Sequence, residues 1–67
     1  MNNTDEIAVS IKRAAELLGV SQSHIRDEIR AGRIVARRIG TKMIRIKVSE
    51  LEQYIDARPL VGDEEDL

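Results

Sequence analysis

Ser10-Ile11-Lys12-Arg13-Ala14-Ala15-Glu16-Leu17-Leu18-Gly19-Val20-Ser21-Gln22-Ser23-His24-Ile25-Arg26-Asp27-Glu28-Ile29-Arg30-Ala31-Gly32 is the stretch on which the fold turns. A serine hydroxyl can take up a backbone N–H left over at a helix start, which makes Ser10 a helix N-cap. Behind it, Ile11, Ala14, Ala15 and Leu18 keep the three-and-four spacing of one helical face, and Gly19 stands where a left-handed terminating residue is wanted. The spacing predicts a first helix over residues 11–18, after which Val20 is expected to plug back into the core. Ser21 repeats the capping signal and opens a second helix, from Gln22 to Ala31, that stops at Gly32. This helix is expected to bury Ile25 and Ile29, four apart, and to turn Gln22, Ser23, Arg26 and Arg30 outward. Two helices joined by the short turn Gly19-Val20-Ser21 make a helix-turn-helix.

Downstream the period changes. Ile34-Val35-Ala36-Arg37-Arg38-Ile39 and Met43-Ile44-Arg45-Ile46-Lys47-Val48 are rich in β-branched residues and are separated by Gly40-Thr41-Lys42, which predicts a β-hairpin. A hairpin after a helix-turn-helix is a wing, and this one carries Arg37, Arg38, Lys42, Arg45 and Lys47. Ser49-Glu50-Leu51-Glu52 then has the form of a capping box, Ser at the cap and Glu three residues on, and should start a helix with Leu51, Tyr54 and Ile55 on its apolar stripe, ended by Pro59. Upstream, Ile7-Ala8-Val9 is a short extended lead-in. The fold expected is α+β, a small winged helix-turn-helix of two short helices, a β-hairpin wing and a C-terminal helix. Residues 1–8 would form a flexible N-terminal arm, residues 9–58 the domain, and residues 59–67 an acidic disordered tail.

A chain of 67 residues has room for one small domain, which excludes most enzymes. With no Cys and one His there is neither a disulfide framework nor the ligand set of a zinc site, so no metal or other cofactor is expected. No apolar run approaches a membrane span and the polar start Met1-Asn2-Asn3-Thr4-Asp5-Glu6 is unlike a signal peptide; the expectation is a cytoplasmic protein with no membrane and no small-molecule partner. The net charge of −1 conceals a strong asymmetry. Between His24 and Lys47 eight basic residues face two acidic ones, while Asp5, Glu6, Asp63, Glu64, Glu65 and Asp66 lie near the ends. A basic middle with acidic ends is the pattern.

The string Ala14-Ala15-Glu16-Leu17-Leu18-Gly19-Val20-Ser21, then Ile25 and Ile29, Gly32-Arg33-Ile34, Arg38-Ile39-Gly40, Arg45-Ile46 and Ser49-Glu50-Leu51-Glu52 resembles the excisionase family of MerR-like winged helix proteins. The likeness covers residues 9–58, with six elements in the family's order. It implies a non-catalytic recombination directionality factor of a bacteriophage such as a mycobacteriophage, which binds double-stranded DNA beside an attachment site, bends it and biases a phage integrase toward excision. It also implies neighbouring copies lined up along DNA in the bacterial cytoplasm. The chain departs from such relatives at Thr41-Lys42-Met43, where an aromatic or a second Arg is common. A small transcriptional regulator of the same fold is the alternative, and a protein-interaction module using the acidic tail is the reading from another class.

For DNA binding the candidates are Ser21, Gln22, Ser23, His24, Arg26 and Arg30 on the second helix and Arg37, Arg38, Gly40, Thr41 and Lys42 on the wing. An α-helix fits the major groove with its N-terminal residues toward the floor, where Gln pairs with adenine and Arg with guanine in bidentate fashion. Ser23 and the helix start suit a phosphate, and His24 is either a phosphate donor or a plain surface residue. Strand alternation separates Arg37 from Arg38, which selects Arg38, Gly40, Thr41 and Lys42 for the DNA backbone or minor groove. Asp27 and Glu28 are expected to temper the charge of this helix and to orient Arg30 or Arg26. Tyr54, though a tyrosine among arginines, falls on an apolar stripe in a domain too small to enclose a recombinase active site. No residue is expected to be catalytic. The acidic tail, with Leu60, Val61 and Leu67 beside its charges, is expected to meet the basic hairpin of a neighbouring subunit.

Overall fold

The computed structural model describes residues 6–61. Along the chain run β1 (Ala8–Val9), α1 (Ile11–Leu18), α2 (Gln22–Arg30), β2 (Arg37–Ile39), β3 (Met43–Lys47) and α3 (Val48–Asp56). This is the expected small α+β winged helix-turn-helix, with a third strand in addition. The strand order is β1-β3-β2, antiparallel throughout, and Ala8 and Val9 pair with Lys47 and Ile46. Ala8, placed at the end of the N-terminal arm by its sequence, is therefore part of the sheet. The rest of that arm up to residue 5, and the tail from residue 62, lie outside the described residues.

Both helices of the helix-turn-helix begin and end as their residues dictate. Ser10 Oγ accepts the Arg13 N–H at 3.1 Å and Ser21 Oγ accepts the His24 N–H at 3.0 Å. At the other ends Gly19 and Gly32 take φ of 73° and 85°, a left-handed conformation that costs a side-chain-bearing residue. Two hydrogen bonds then close each helix: Val20 N–H to Ala15 O and Gly19 N–H to Glu16 O in α1, Arg33 N–H to Glu28 O and Gly32 N–H to Ile29 O in α2. This is the Schellman arrangement, which satisfies carbonyls that the helix itself leaves open.

One aliphatic core joins the elements: Val9, Ala14, Ala15, Ile25, Ile34, Ile46, Leu51 and Tyr54. Ile25, Ile34 and Ile46 are its largest wholly enclosed side chains. Three side chains and the length of the wing differ from the sequence reading. Ile29 is only partly buried, and Val20 is 36% exposed, because the tight α1–α2 turn directs its N–H back to α1 while its side chain stays outside. Ile55 is 48% exposed, since α3 lays Leu51 and Tyr54 on the core and its next position turns away. The wing is shorter than expected: residues 34–36 precede β2, with Ile34 serving as a core plug and its N–H donated to Glu28 O.

The capping box at Ser49 is not formed. The N-cap of α3 is Lys47, which makes no side-chain capping bond, and Ser49 lies inside the first turn. β3 runs straight into α3, and the Val48 N–H is taken at 2.9 Å by the carbonyl of Ile7. Pairing of the N-terminal lead-in with β3 thus satisfies the first N–H of a helix that begins one residue before Ser49.

Candidate nucleic-acid interface

Helix α2 presents Gln22, Ser23, His24, Arg26, Asp27 and Arg30 to solvent. Ser21 Oγ is occupied as the cap, so its acceptor side serves the helix while Gln22 and Ser23 hold the open first turn. Arg26 has no carboxylate within salt-bridge distance among the described residues, whereas Arg30 Nη1 donates to Asp27 Oδ1 at 3.0 Å. Asp27 orients Arg30, as expected of one of the two acids.

Glu28 is a different case and corrects the reading that paired it with Arg26 or Arg30. It is buried, and its carboxylate accepts a hydrogen bond from Arg33 Nε, just beyond the helix end, with His24 Nε2 3.7 Å from its other oxygen. The Arg33 hydrogen bond and charge hold the Glu28 carboxyl below the ordinary glutamate value, against the opposing effect of burial. Arg33 in turn is pushed above its ordinary value by the same hydrogen bond. The pair ties the end of α2 to the approach of the wing. A helix position seven residues after the Ser21 cap, on the side of Ile25 rather than opposite it, was the sequence signal that Glu28 would face inward.

Register decides which wing residues share a surface with α2. In the β2–β3 ladder Arg38 stands opposite Ile44, and directly opposed residues of an antiparallel pair project from the same face. Ile44 lines a groove of about 290 Å³ together with Arg26, Ile29 and Arg30 of α2 and Ile11 of α1. Arg38 therefore belongs to the wing face that turns toward α2. Arg37 projects from the opposite face, where its Nη1 lies 3.7 Å from Glu50 Oε2 of α3. The structure brings Arg26, Arg30 and Arg38 to one side and takes Arg37 away from it.

The wing tip turns through Gly40, whose φ of 73° again requires the left-handed region, and Thr41 and Lys42 are exposed there. Lys42, like Arg26 and Arg38, has no carboxylate within salt-bridge distance among the described residues. Three cations with no carboxylate partner among the described residues are thus spread from α2 to the end of the wing. Tyr54, by contrast, is buried in the core with the Arg58 guanidinium 4.7 Å over its ring, a packing position. No helix among the described residues is long and apolar enough to cross a membrane.

No curated protein matches the sequence. Residues 8–59, nearly the whole described chain, match the family described as the helix-turn-helix domain. With two capped helices, the tight turn between them and a wing beside the second, the chain belongs to that family of small DNA-binding domains, which includes excisionase-like proteins and is typically non-enzymatic.

Proposed function

We propose that this protein is an excisionase: it binds phage attachment-site DNA through α2 and the wing, bends it, and directs an integrase toward excision. The observation that carries the reading is that Arg26 of α2 and Arg38 of the wing share one side, with Lys42 at the wing tip, none of the three having a carboxylate within salt-bridge distance among the described residues. A single duplex meets these cations with α2 in the major groove and the wing tip at the adjoining backbone or minor groove, a geometry that favours bending toward the protein. In this reading Gln22 and Arg26 address base edges. Ser21, Ser23, His24 and the first-turn N–H groups of α2 hold a phosphate, Arg30 supports them, and Arg38, Gly40, Thr41 and Lys42 hold the second contact. Arg37, paired with Glu50, is left out of the direct contact. Support for excision over transcriptional control comes from the six-element likeness to excisionases in residues 9–58.

The deciding experiment is a footprint on attachment-site DNA combined with in vitro recombination. An excisionase protects adjacent sites, shifts the mobility of circularly permuted fragments as a bent complex, and raises integrase-dependent excision. Promoter occupancy with no effect on excision would assign the protein to the regulators instead.

A further inference from the structure

His24 and Glu28 lie one helical turn apart on α2, and their side chains meet: His24 Nε2 stands 3.7 Å from Glu28 Oε2. Glu28 is buried, and its other oxygen accepts from Arg33 Nε, which fixes the carboxylate beside the ring. The hydrogen bond and charge of Arg33 keep it ionised at neutral pH, and Arg58, beyond α3, adds a further positive charge near the same carboxylate. Tyr54 of α3 acts on Arg33. On α1, which packs against α2, Arg13 pairs with Glu6 and Glu16. Among the described residues no carboxylate other than Glu28 lies within salt-bridge distance of His24, and His24 Nδ1 makes no hydrogen bond.

An ionised carboxylate can only accept, so the imidazole nitrogen turned toward it carries a proton. A neutral imidazole has one N–H, and its second nitrogen is a bare acceptor. Neutral His24 therefore keeps Nδ1 as a lone pair, which repels a phosphate oxygen, whereas the imidazolium donates from both nitrogens. We infer that His24 takes up a proton when α2 meets DNA, donating from Nε2 to Glu28 and from Nδ1 to a backbone phosphate, so that DNA affinity rises as pH falls through the range in which imidazole changes charge. The inference rests on the phosphate contact proposed for the first turn of α2 and adds its proton requirement. Glu28 is a positioning residue here: it selects the tautomer of the ring without touching DNA. Because the complex holds one proton more than its free components, lowering the pH favours it, and the gain ends where the ring of the free chain is itself charged.

The chain has one histidine, so ring ¹⁵N chemical shifts read its protonation directly. In the free full chain at about pH 8 the neutral ring is expected to carry its proton on Nε2, and in complex with a footprinted duplex of about 20 base pairs both nitrogens should be protonated at about pH 7. At constant salt, affinity should rise about tenfold from about pH 8 to about pH 6, with close to one proton taken up, measured from binding heats in two buffers of different ionisation enthalpy. His24→Gln should abolish the uptake. Glu28→Gln, whose amide can accept from Nε2–H or donate to a bare Nε2, opens the Nδ1–H tautomer to the neutral ring and should flatten the pH dependence to about twofold, its helical spectrum reporting on folding. The inference is overturned by an Nδ1–H ring in the free parent chain, by uptake that survives His24→Gln, or by a folded Glu28→Gln chain that keeps the parent's pH dependence. The ring readings on the parent chain stand whatever Glu28→Gln does to folding. A parent chain that binds no duplex at either pH overturns the proposed function and this inference with it, whereas binding with a neutral ring overturns this inference alone.

Discussion

Between Ser10 and Gly32 both helices are closed by a serine cap at one end and a left-handed glycine at the other, and Ile25 is sealed from solvent; from Arg37 to Met43 every residue is exposed. The wing tip is held by its ladder with β3 and by Gly40, and its side chains contribute little to the core. The difference separates two kinds of consequence. Changes at the caps and enclosed positions of the first region act on the fold, whereas changes at its outward side chains and in the second region act on contacts made outside the molecule and leave the fold alone.

The largest effect should come from Ile25→Ala, which opens a cavity at a wholly enclosed position of α2. A loss of about 2 to 5 kcal/mol in denaturant unfolding is expected, enough to unfold much of a domain this small. A loss below about 1 kcal/mol would mean that α2 is not seated on the core as described. Arg26→Ala, on the outer side of the same helix, should leave stability within about 0.5 kcal/mol while costing about 1 to 3 kcal/mol in binding to the preferred site and relaxing base preference there. An equal loss on every DNA sequence tested would reduce Arg26 to a phosphate contact.

Two serines sharpen the contrast further. Ser21→Ala removes a cap and should destabilise by about 1 kcal/mol, whereas Ser49→Ala, in a capping box that does not form, should change unfolding by less than about 0.5 kcal/mol. Equal costs for the two would restore the capping box. Glu28 brings acid sensitivity to the helix-turn-helix and not to the wing. Its folded carboxyl titrates below the ordinary glutamate value, so its pairing with Arg33 is fully present above that value and is lost as pH falls through it and on through the lowered folded value. Glu28→Gln should be less stable than the parent at neutral pH and should lose less on acidification; parallel stability curves for the two chains would remove Glu28 as the source. The smallest effect is predicted for Lys42→Ala at the wing tip: unchanged stability, uniform weakening on all DNA sequences and a salt slope lower by about 1. A slope that does not move would take Lys42 out of the contact.

The elements most legible in the sequence were those with local causes. Ser10, Gly19, Ser21 and Gly32 set the helix ends through contacts three to five residues away, and those ends fell where the residues place them. Alternation likewise separated Arg37 from Arg38 before any contact was known, and the ladder register gives that split a direction, toward Glu50 for one and toward Ile44 for the other. What failed had a distant partner. The Ser49 box is a sound local signal, overridden because the carbonyl of Ile7, more than forty residues earlier, reaches the Val48 N–H. Glu28 read as a solvent charge because its partner Arg33 lies past the helix end, where helical spacing no longer predicts contact.

By itself the sequence determined the helix-turn-helix, the wing that follows it and the concentration of positive charge between His24 and Lys47, since each depends on residue type and short-range spacing. Only the tertiary structure decided that β1 completes the sheet through β3, that Arg26 and Arg38 share a side while Arg37 is drawn to α3, and that an aliphatic groove stays open between α1 and α3. The physical reason is that strand pairing and side-chain facing are settled by which distant groups satisfy one another's hydrogen bonds and charges, and a linear pattern carries the donors and acceptors without their matching.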